Sequence, residues 1–231
     1  MNRTAKPLVG LLYSGGLDSA ILLGHLAGQG KRVQPLYIQS DLVWQGAELA
    51  AAERFLATFS AAEAAPLKVL HVPLADIYQG HWSLTGAGAP DANSPDEAVY
   101  LPGRNPLLLV KAAVWCHLQQ IEEIALAPLR ANPFPDATDT FFAAFEQMMS
   151  MALASPLRIS RPFAKLEKRA VLELGRALPL QWTFSCIAPR DGQHCGECNK
   201  CAERQAAFRA AGLADFTLYA QHAARGAERS Q

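Results

Sequence analysis

The sequence predicts an α/β fold built on a parallel sheet with helices on both faces. Three observations carry this expectation. Short apolar runs alternate with longer helical patterns along the first two-thirds of the chain. A glycine turn, Ser14-Gly15-Gly16, directly follows the first run and opens a helical pattern. The chain has 231 residues, of which 50% are hydrophobic and 18% charged, so it can bury one sizeable core and does not read as disordered.

In chain order, residues 8–13 read as a buried strand, followed after the turn by a helix through Ala20, Leu23 and Leu26 that stops near Gly28 and Gly30. Residues 33–38 form a second strand, although Pro35 suits the beginning of a strand better than its centre. Residues 47–59 are alanine-rich and helical, and residues 67–72 give a third strand. A helix over residues 106–119 leads to a fourth strand at residues 123–127. This β-α-β-α order is Rossmann-like and puts ligands at the carboxyl ends of the strands. Two proline-bearing loops break the rhythm, residues 79–105 and 128–138, and the second sits where a substrate is contacted. A helix is expected over residues 202–211, and a frayed tail from Ala223.

Basic and acidic residues balance at 21 each, so no long-range field draws the chain to nucleic acid or to a membrane surface. No apolar run reaches the roughly eighteen residues that span a bilayer. Residues 1–6 are short and polar, and the run after them is too brief for an export signal. The expectation is a cytoplasmic protein with reduced cysteines, which favours metal over disulfides.

Two motifs carry chemistry. In Ser14-Gly15-Gly16-Leu17-Asp18-Ser19 the glycines let backbone N–H groups point inward, and the helix N-terminus adds partial positive charge, so the turn can hold phosphate oxygens. It lacks the Lys-Ser/Thr pair of a Walker A loop. Ser14 and Ser19 can donate hydroxyls, and Asp18 can ligate a Mg²⁺ shared with the phosphates. Such a loop grips pyrophosphate as a leaving group, so cleavage between the α- and β-phosphates is the natural reaction. The second motif is Cys186, Cys195, Cys198 and Cys201, whose C-x8-C-x2-C-x2-C spacing can close around one Zn²⁺. Four sulfurs fill a tetrahedron, so that zinc is structural. His194 reads as a loop histidine and Cys116 as a core residue. The chain then divides into an ATP-binding α/β domain, residues 1–180, and a zinc-binding segment with a helix, residues 181–231.

Joined to other segments, these motifs resemble the QueC-type branch of the PP-loop ATP pyrophosphatases, the 7-cyano-7-deazaguanine synthases. Besides the two motifs, the matches are Ser83-Leu84-Thr85, Leu101-Pro102-Gly103-Arg104-Asn105, Trp182-Thr183-Phe184-Ser185, and the trailing Arg204, Phe208, Gly212 and Asp215. They are collinear over nearly the whole chain. The resemblance implies ATP-dependent conversion of 7-carboxy-7-deazaguanine to its nitrile with ammonia, through adenylation and release of AMP and pyrophosphate, by a homodimer. It implies an ATP site formed by Tyr13, Ser14, Gly15, Gly16, Leu17, Asp18, Ser19, Ala20, Ile21, Leu22 and Leu23. Asp18, Ser19, Arg104, Lys165 and Lys168 are the implied catalytic residues, and Gly103, Arg104, Asn105 and Asp136 the substrate contacts.

Two segments depart from the family pattern. Ser40–Gln45 replaces an Asp-Tyr-Gly-Gln-Arg-His stretch, and residues 127–142 lose a Ser-Gly-Tyr element while keeping Pro135-Asp136. Glu48 fits the family's helical glutamate. The altered loops allow a related substrate, a PP-loop enzyme acting on tRNA, or a nucleotide-binding protein that has lost its chemistry. The absence of a basic footprint speaks against the tRNA alternative.

Overall fold

The computed structural model describes residues 7–220, so the expectations for residues 1–6 and for the tail from Ala223 lie outside the described residues. Five strands, β1 Leu8–Leu12, β2 Arg32–Gln39, β3 Lys68–His71, β4 Glu123–Ala125 and β5 Arg158–Ser160, form one parallel sheet in the order β3-β2-β1-β4-β5. The helices are α1 Leu17–Gly28, α2 Gln45–Leu56, α3 Ala75–Tyr78, α4 Trp82–Thr85, α5 Arg104–Leu118, α6 Asp139–Ala152, α7 Lys168–Leu174 and α8 Asn199–Ala211. The four expected strands are present. β5, α6 and α7 were not expected: β5 has only three residues, too few for any periodicity to register.

Alternation along the strands feeds two cores. Val9 and Leu11 point to one face, where they meet Leu22 of α1, Phe55 of α2, Val171 of α7 and Phe208 of α8. Leu36 and Ile124 belong to the other, with Leu109 and Ala113 of α5 and Phe142 and Phe145 of α6. On that second face α5 lies against the backbone of β1. A Cβ on Gly10 would come within 2.8 Å of Cys116 Sγ. Cys116 is the core residue its setting implied, and burial pushes its thiol up to about 12.

Pro35 sits inside β2 without breaking the ladder. Even-numbered residues of β2 bond towards β1, as Arg32 N does to Pro7 O and Leu36 O does with Tyr13 N. Odd-numbered residues face the other way, as Val33 does in its bonds with Glu63 and Ala65. Pro35 therefore turns its missing donor to the β3 side, just before pairing with β3 begins at Leu36 and Lys68. The Gln34 amide fills the gap by donating to both Pro35 O and Pro66 O.

The segment before the cysteines is held by a buried guanidinium. Arg204 on α8 is 1% exposed and donates through Nε to Thr217 Oγ1 (2.8 Å), through one Nη to Thr183 Oγ1 (2.9 Å) and through the other to Leu180 O (2.8 Å). It makes these bonds to neutral acceptors and stitches three stretches of chain together. Replacing it by Met removes the donors and leaves several buried acceptors unsatisfied, at about 1–3 kcal/mol each. Arg204→Met is expected to lower unfolding free energy by about 3 kcal/mol or more, read from the urea midpoint at unchanged m-value.

Candidate active site and metal centre

Neighbouring strands β1 and β4 send their connections to opposite faces, β1 into α1 and β4 towards α6. Between them the carboxyl ends of the strands leave a crevice, the position where such sheets bind ligands. A cleft of about 660 Å³ opens there. The glycine turn lines it with Ser14, Gly16, Leu17, Asp18 and Ser19, and Arg104, Asn105, Asp136, Lys168, Lys200 and Glu203 converge on it from other elements.

The turn is wedged between two parts of the chain. Gly15 has φ 75°, and a Cβ there would lie 2.8 Å from Ala52 Cβ and 3.0 Å from Ala52 backbone atoms, so only glycine fits. From the other side Phe184 N donates to Gly15 O at 2.9 Å. Within the turn Ser14 Oγ lies 3.2 Å from Ser19 Oγ and accepts from Gly16 N at 3.3 Å. Tyr13 closes the floor, its buried hydroxyl donating to Ala52 O at 3.2 Å.

Ions surround Asp18. Lys168 Nζ meets Asp18 Oδ2 at 2.8 Å and Glu203 at 3.0 Å, while Lys200 meets Glu203 at 2.7 Å. Burial would lower the Lys168 ammonium, but Asp18 and Glu203 outweigh it and hold its pKa above the ordinary lysine value. Burial would likewise raise Glu203, yet Lys168 and Lys200 bring it down to about 2. Asp18 Oδ1 is buried without a hydrogen-bond partner, which leaves it for a cation.

The structure sorts the residues expected at the ATP site. Ser14, Gly16, Leu17, Asp18 and Ser19 line the cleft, whereas Ala20, Ile21, Leu22 and Leu23 are buried in the core, because only the first helical turn can face a ligand at its end. Lys168 reaches Asp18, while Lys165 is exposed and lies outside the cleft lining. Gly103 takes a left-handed conformation (φ 72°) as the N-cap of α5, starting the helix that carries Arg104. Asp136 holds that start in place: its Oδ2 accepts from Asn105 N at 3.1 Å and its backbone oxygen from Asn105 Nδ2 at 2.9 Å. Burial raises the Asp136 carboxyl despite these bonds and the pull of Arg104. Arg104 Nε is buried and unpartnered.

The second motif gathers as its spacing implied. The four sulfurs of Cys186, Cys195, Cys198 and Cys201 all lie within 4.8 Å of one another, with Cys186 and Cys198 at 3.8 Å and Cys195 and Cys201 at 3.9 Å. Four sulfurs about 2.3 Å from one zinc stand about 3.8 Å apart, so the cluster fits tetrahedral Zn²⁺. Backbone N–H groups support thiolates here, from Ala188 and Cys195 to Cys186 Sγ and from Glu197 and Cys198 to Cys195 Sγ. His194 stands apart from the sulfurs. Its Nε2 accepts from Ser185 N at 3.0 Å, and its ring packs on Phe184 at 4.5 Å.

A family model described as queuosine biosynthesis protein QueC matches residues 9–212. The chain belongs to the QueC family. The 7-cyano-7-deazaguanine synthase of Thiobacillus denitrificans is 34% identical over 94% of this chain and 100% of its own length. Those of Stutzerimonas stutzeri and Dechloromonas aromatica are 32% and 34% identical, each over 90% of this chain and 96% of its own. No helix among the described residues is long and apolar enough to cross a membrane.

In this QueC-family chain both altered loops reach the cleft. Trp44 stacks on Trp82 with ring centroids 5.8 Å apart, and Phe134 stacks on Tyr100 at 5.1 Å. The residues 79–105 loop is ordered by Asn199, which bonds to Pro90 O and Ser94 O, so its inner wall is fixed to the start of α8. Sequence reasoning missed Lys200 and Glu203, whose roles depend on a helix packing unseen in the spacing of cysteines. It also left Glu48 without a role at the site. Tyr37 OH donates to Glu48 Oε2 at 2.8 Å, and burial pushes the carboxyl up to about 7 against the opposing effects of Arg104 and Tyr37.

Two outcomes follow. Chelation of the metal should lower the melting temperature and also weaken nucleotide binding, because Phe184 joins the cysteine segment to Gly15; calorimetry with and without chelator reads both, and an unchanged melting temperature would count against a structural metal. Glu48 is neutral in folded and unfolded chains well below pH 4, and no penalty exists there. As pH rises the unfolded carboxyl ionises first, so the penalty grows and is complete above about pH 7. Glu48→Gln should therefore stabilise the protein at pH 8 and less so at pH 5, as measured by thermal melts across that range.

Proposed function

We propose that this QueC-family protein is an ATP-dependent carbon–nitrogen ligase that converts 7-carboxy-7-deazaguanine to its nitrile with ammonia. The observation that carries this reading is the meeting, in one cleft, of the phosphate turn with Asp18 and Lys168 and of the helix start bearing Arg104 and Asn105. A carboxylate is a poor electrophile. Its oxygen first attacks the α-phosphate of ATP, and pyrophosphate leaves into the Ser14–Ser19 turn. Ammonia then displaces AMP to give the primary amide. Adenylation of the amide oxygen lets that oxygen depart with a second AMP, leaving the nitrile.

The residues have separable tasks. The amides and hydroxyls of the turn receive the leaving pyrophosphate, and Lys168 offsets charge that develops between the phosphates. Arg104, with an unpartnered Nε, is suited to an anionic substrate group. Asp18 Oδ1 and the Ser14 and Ser19 hydroxyls suit a Mg²⁺ held jointly with phosphate oxygens; bound there, it would neutralise charge on the triphosphate. The zinc cluster, closed by four sulfurs, serves the fold. Trp44 and Phe134 come from the altered loops and support a second reading, in which a related planar carboxylate replaces the deazaguanine.

Incubation with ATP, ammonium and 7-carboxy-7-deazaguanine is expected to yield AMP, pyrophosphate and nitrile, followed by mass spectrometry. AMP and pyrophosphate without nitrile from a related carboxylate would favour the second reading, and neither product with any carboxylate would sink the ligase assignment. Asp18→Asn should cut pyrophosphate release about 100-fold or more, measured by a coupled pyrophosphatase assay in protein of unchanged melting temperature.

A further inference from the structure

The cleft contains a carboxylate for which pyrophosphate capture has no use. Six carboxylates line it: Asp18, Glu48, Asp96, Asp136, Glu167 and Glu203. Five are matched to nitrogen donors. Asp18 and Glu203 share Lys168, Glu167 pairs with Arg130, Asp136 accepts from Asn105, and Asp96 accepts from Asn199. Glu48 differs, since its bond comes from the Tyr37 hydroxyl on Oε2. Among the described residues no hydrogen bond is seen to its Oε1.

Its position is set by the phosphate turn. Glu48 stands one helical turn before Ala52 on the same face of α2, and Ala52 is pressed against Gly15. One turn rises about 5.4 Å, so the contact that seats α2 against the phosphate turn also sets where Glu48 enters the cleft wall. Arg104 lines the same cleft; its charge acts on Glu48 and its Nε has no hydrogen-bond partner. A carboxylate substrate on Arg104 and a small cation on Glu48 would alternate in sign across the cleft.

Ammonia dissolved near neutrality is chiefly ammonium, which has no lone pair and cannot attack an acyl carbon. We propose that Glu48 binds ammonium and removes its proton, delivering ammonia to the adenylated carboxylate; this rests on the ligase reading above. One N–H bond breaks and an O–H bond forms on Glu48. The freed lone pair makes the C–N bond, and the acyl C–O bond breaks with its electrons leaving on AMP. The nitrogen sheds its second proton to solvent, giving the primary amide. Burial, which pushes the Glu48 carboxyl up to about 7, matches its proton affinity to a base working near neutral pH.

The test uses the full-length, zinc-loaded protein and Glu48→Gln, whose side-chain oxygen can still accept from Tyr37. Three rates are compared at pH 7 with 7-carboxy-7-deazaguanine: ATP–pyrophosphate exchange, amide and nitrile formation from ammonium, and hydroxamate formation from hydroxylamine, a nucleophile already neutral at that pH. Exchange and hydroxamate formation are expected within about threefold of the native protein, while the ammonium reaction falls about 100-fold or more. Glu48→Asp should restore part of the ammonium reaction. Equal losses with both nucleophiles, a raised KM for the heterocycle alone, or an undiminished ammonium rate would each overturn the role, the second by assigning Glu48 to the ring N–H groups instead. A native protein that neither exchanges pyrophosphate nor forms hydroxamate overturns the ligase reading itself, and this role with it.

Discussion

The rest of the structure depends on how the backbone of Gly15 is gripped. Ala52 presses on it from α2 and Phe184 N bonds its carbonyl from the opposite side, so the turn has no freedom to relax. Phe184 is two residues from Cys186, and Thr183 and Ser185 on either side of it are held by the buried Arg204. The cysteine cluster, the buried guanidinium and the phosphate turn are therefore consecutive links of one mechanical chain. Four sulfurs leave no open position on a tetrahedral ion, so a zinc held by this cluster would act on the cleft only through this chain of contacts.

Charge in the cleft is arranged to be reassigned. Lys200, Glu203, Lys168 and Asp18 neutralise one another through successive contacts. A polyanion arriving at the turn would compete with Glu203 and Asp18 for Lys168, so its binding calls for an added cation, which the unpartnered Asp18 Oδ1 is suited to meet. The balance is local, in keeping with a chain whose total charge is zero. Glu48 and Arg104 line the same cleft outside this network, and the Arg104 charge acts on Glu48.

The strand, glycine turn and helix at the N-terminus were legible because the switch from an apolar run to helical spacing occurs over the glycines themselves. The cysteine cluster was legible because its ligands are close in sequence. Less could be read where contacts are distant or elements short. Lys165 and Lys168 look alike in sequence, and only the packing of α7 on α1 decides that Lys168 meets Asp18. Residues 20–23 follow the motif without a break, but they lie beyond the first turn of a helix that is buried all round, so they fall in the core. The amphipathic pattern of α6, with Phe142, Phe145 and Met149 buried and Thr138 accepting from Phe141 N, was a signal that could have been found. Pro35 looked like an obstacle because sequence does not show which edge of β2 its nitrogen faces.

The contact between Gly15 and Ala52 reaches beyond steric fit. Ala52 is not among the residues lining the cleft, but its methyl group fixes how close α2 comes to the turn, and hence where Glu48 stands one helical turn away. A larger side chain at residue 52 would push the helix outward and withdraw the carboxylate from the cleft. A buried alanine that lines no part of the cleft therefore helps to set the shape of the cleft wall.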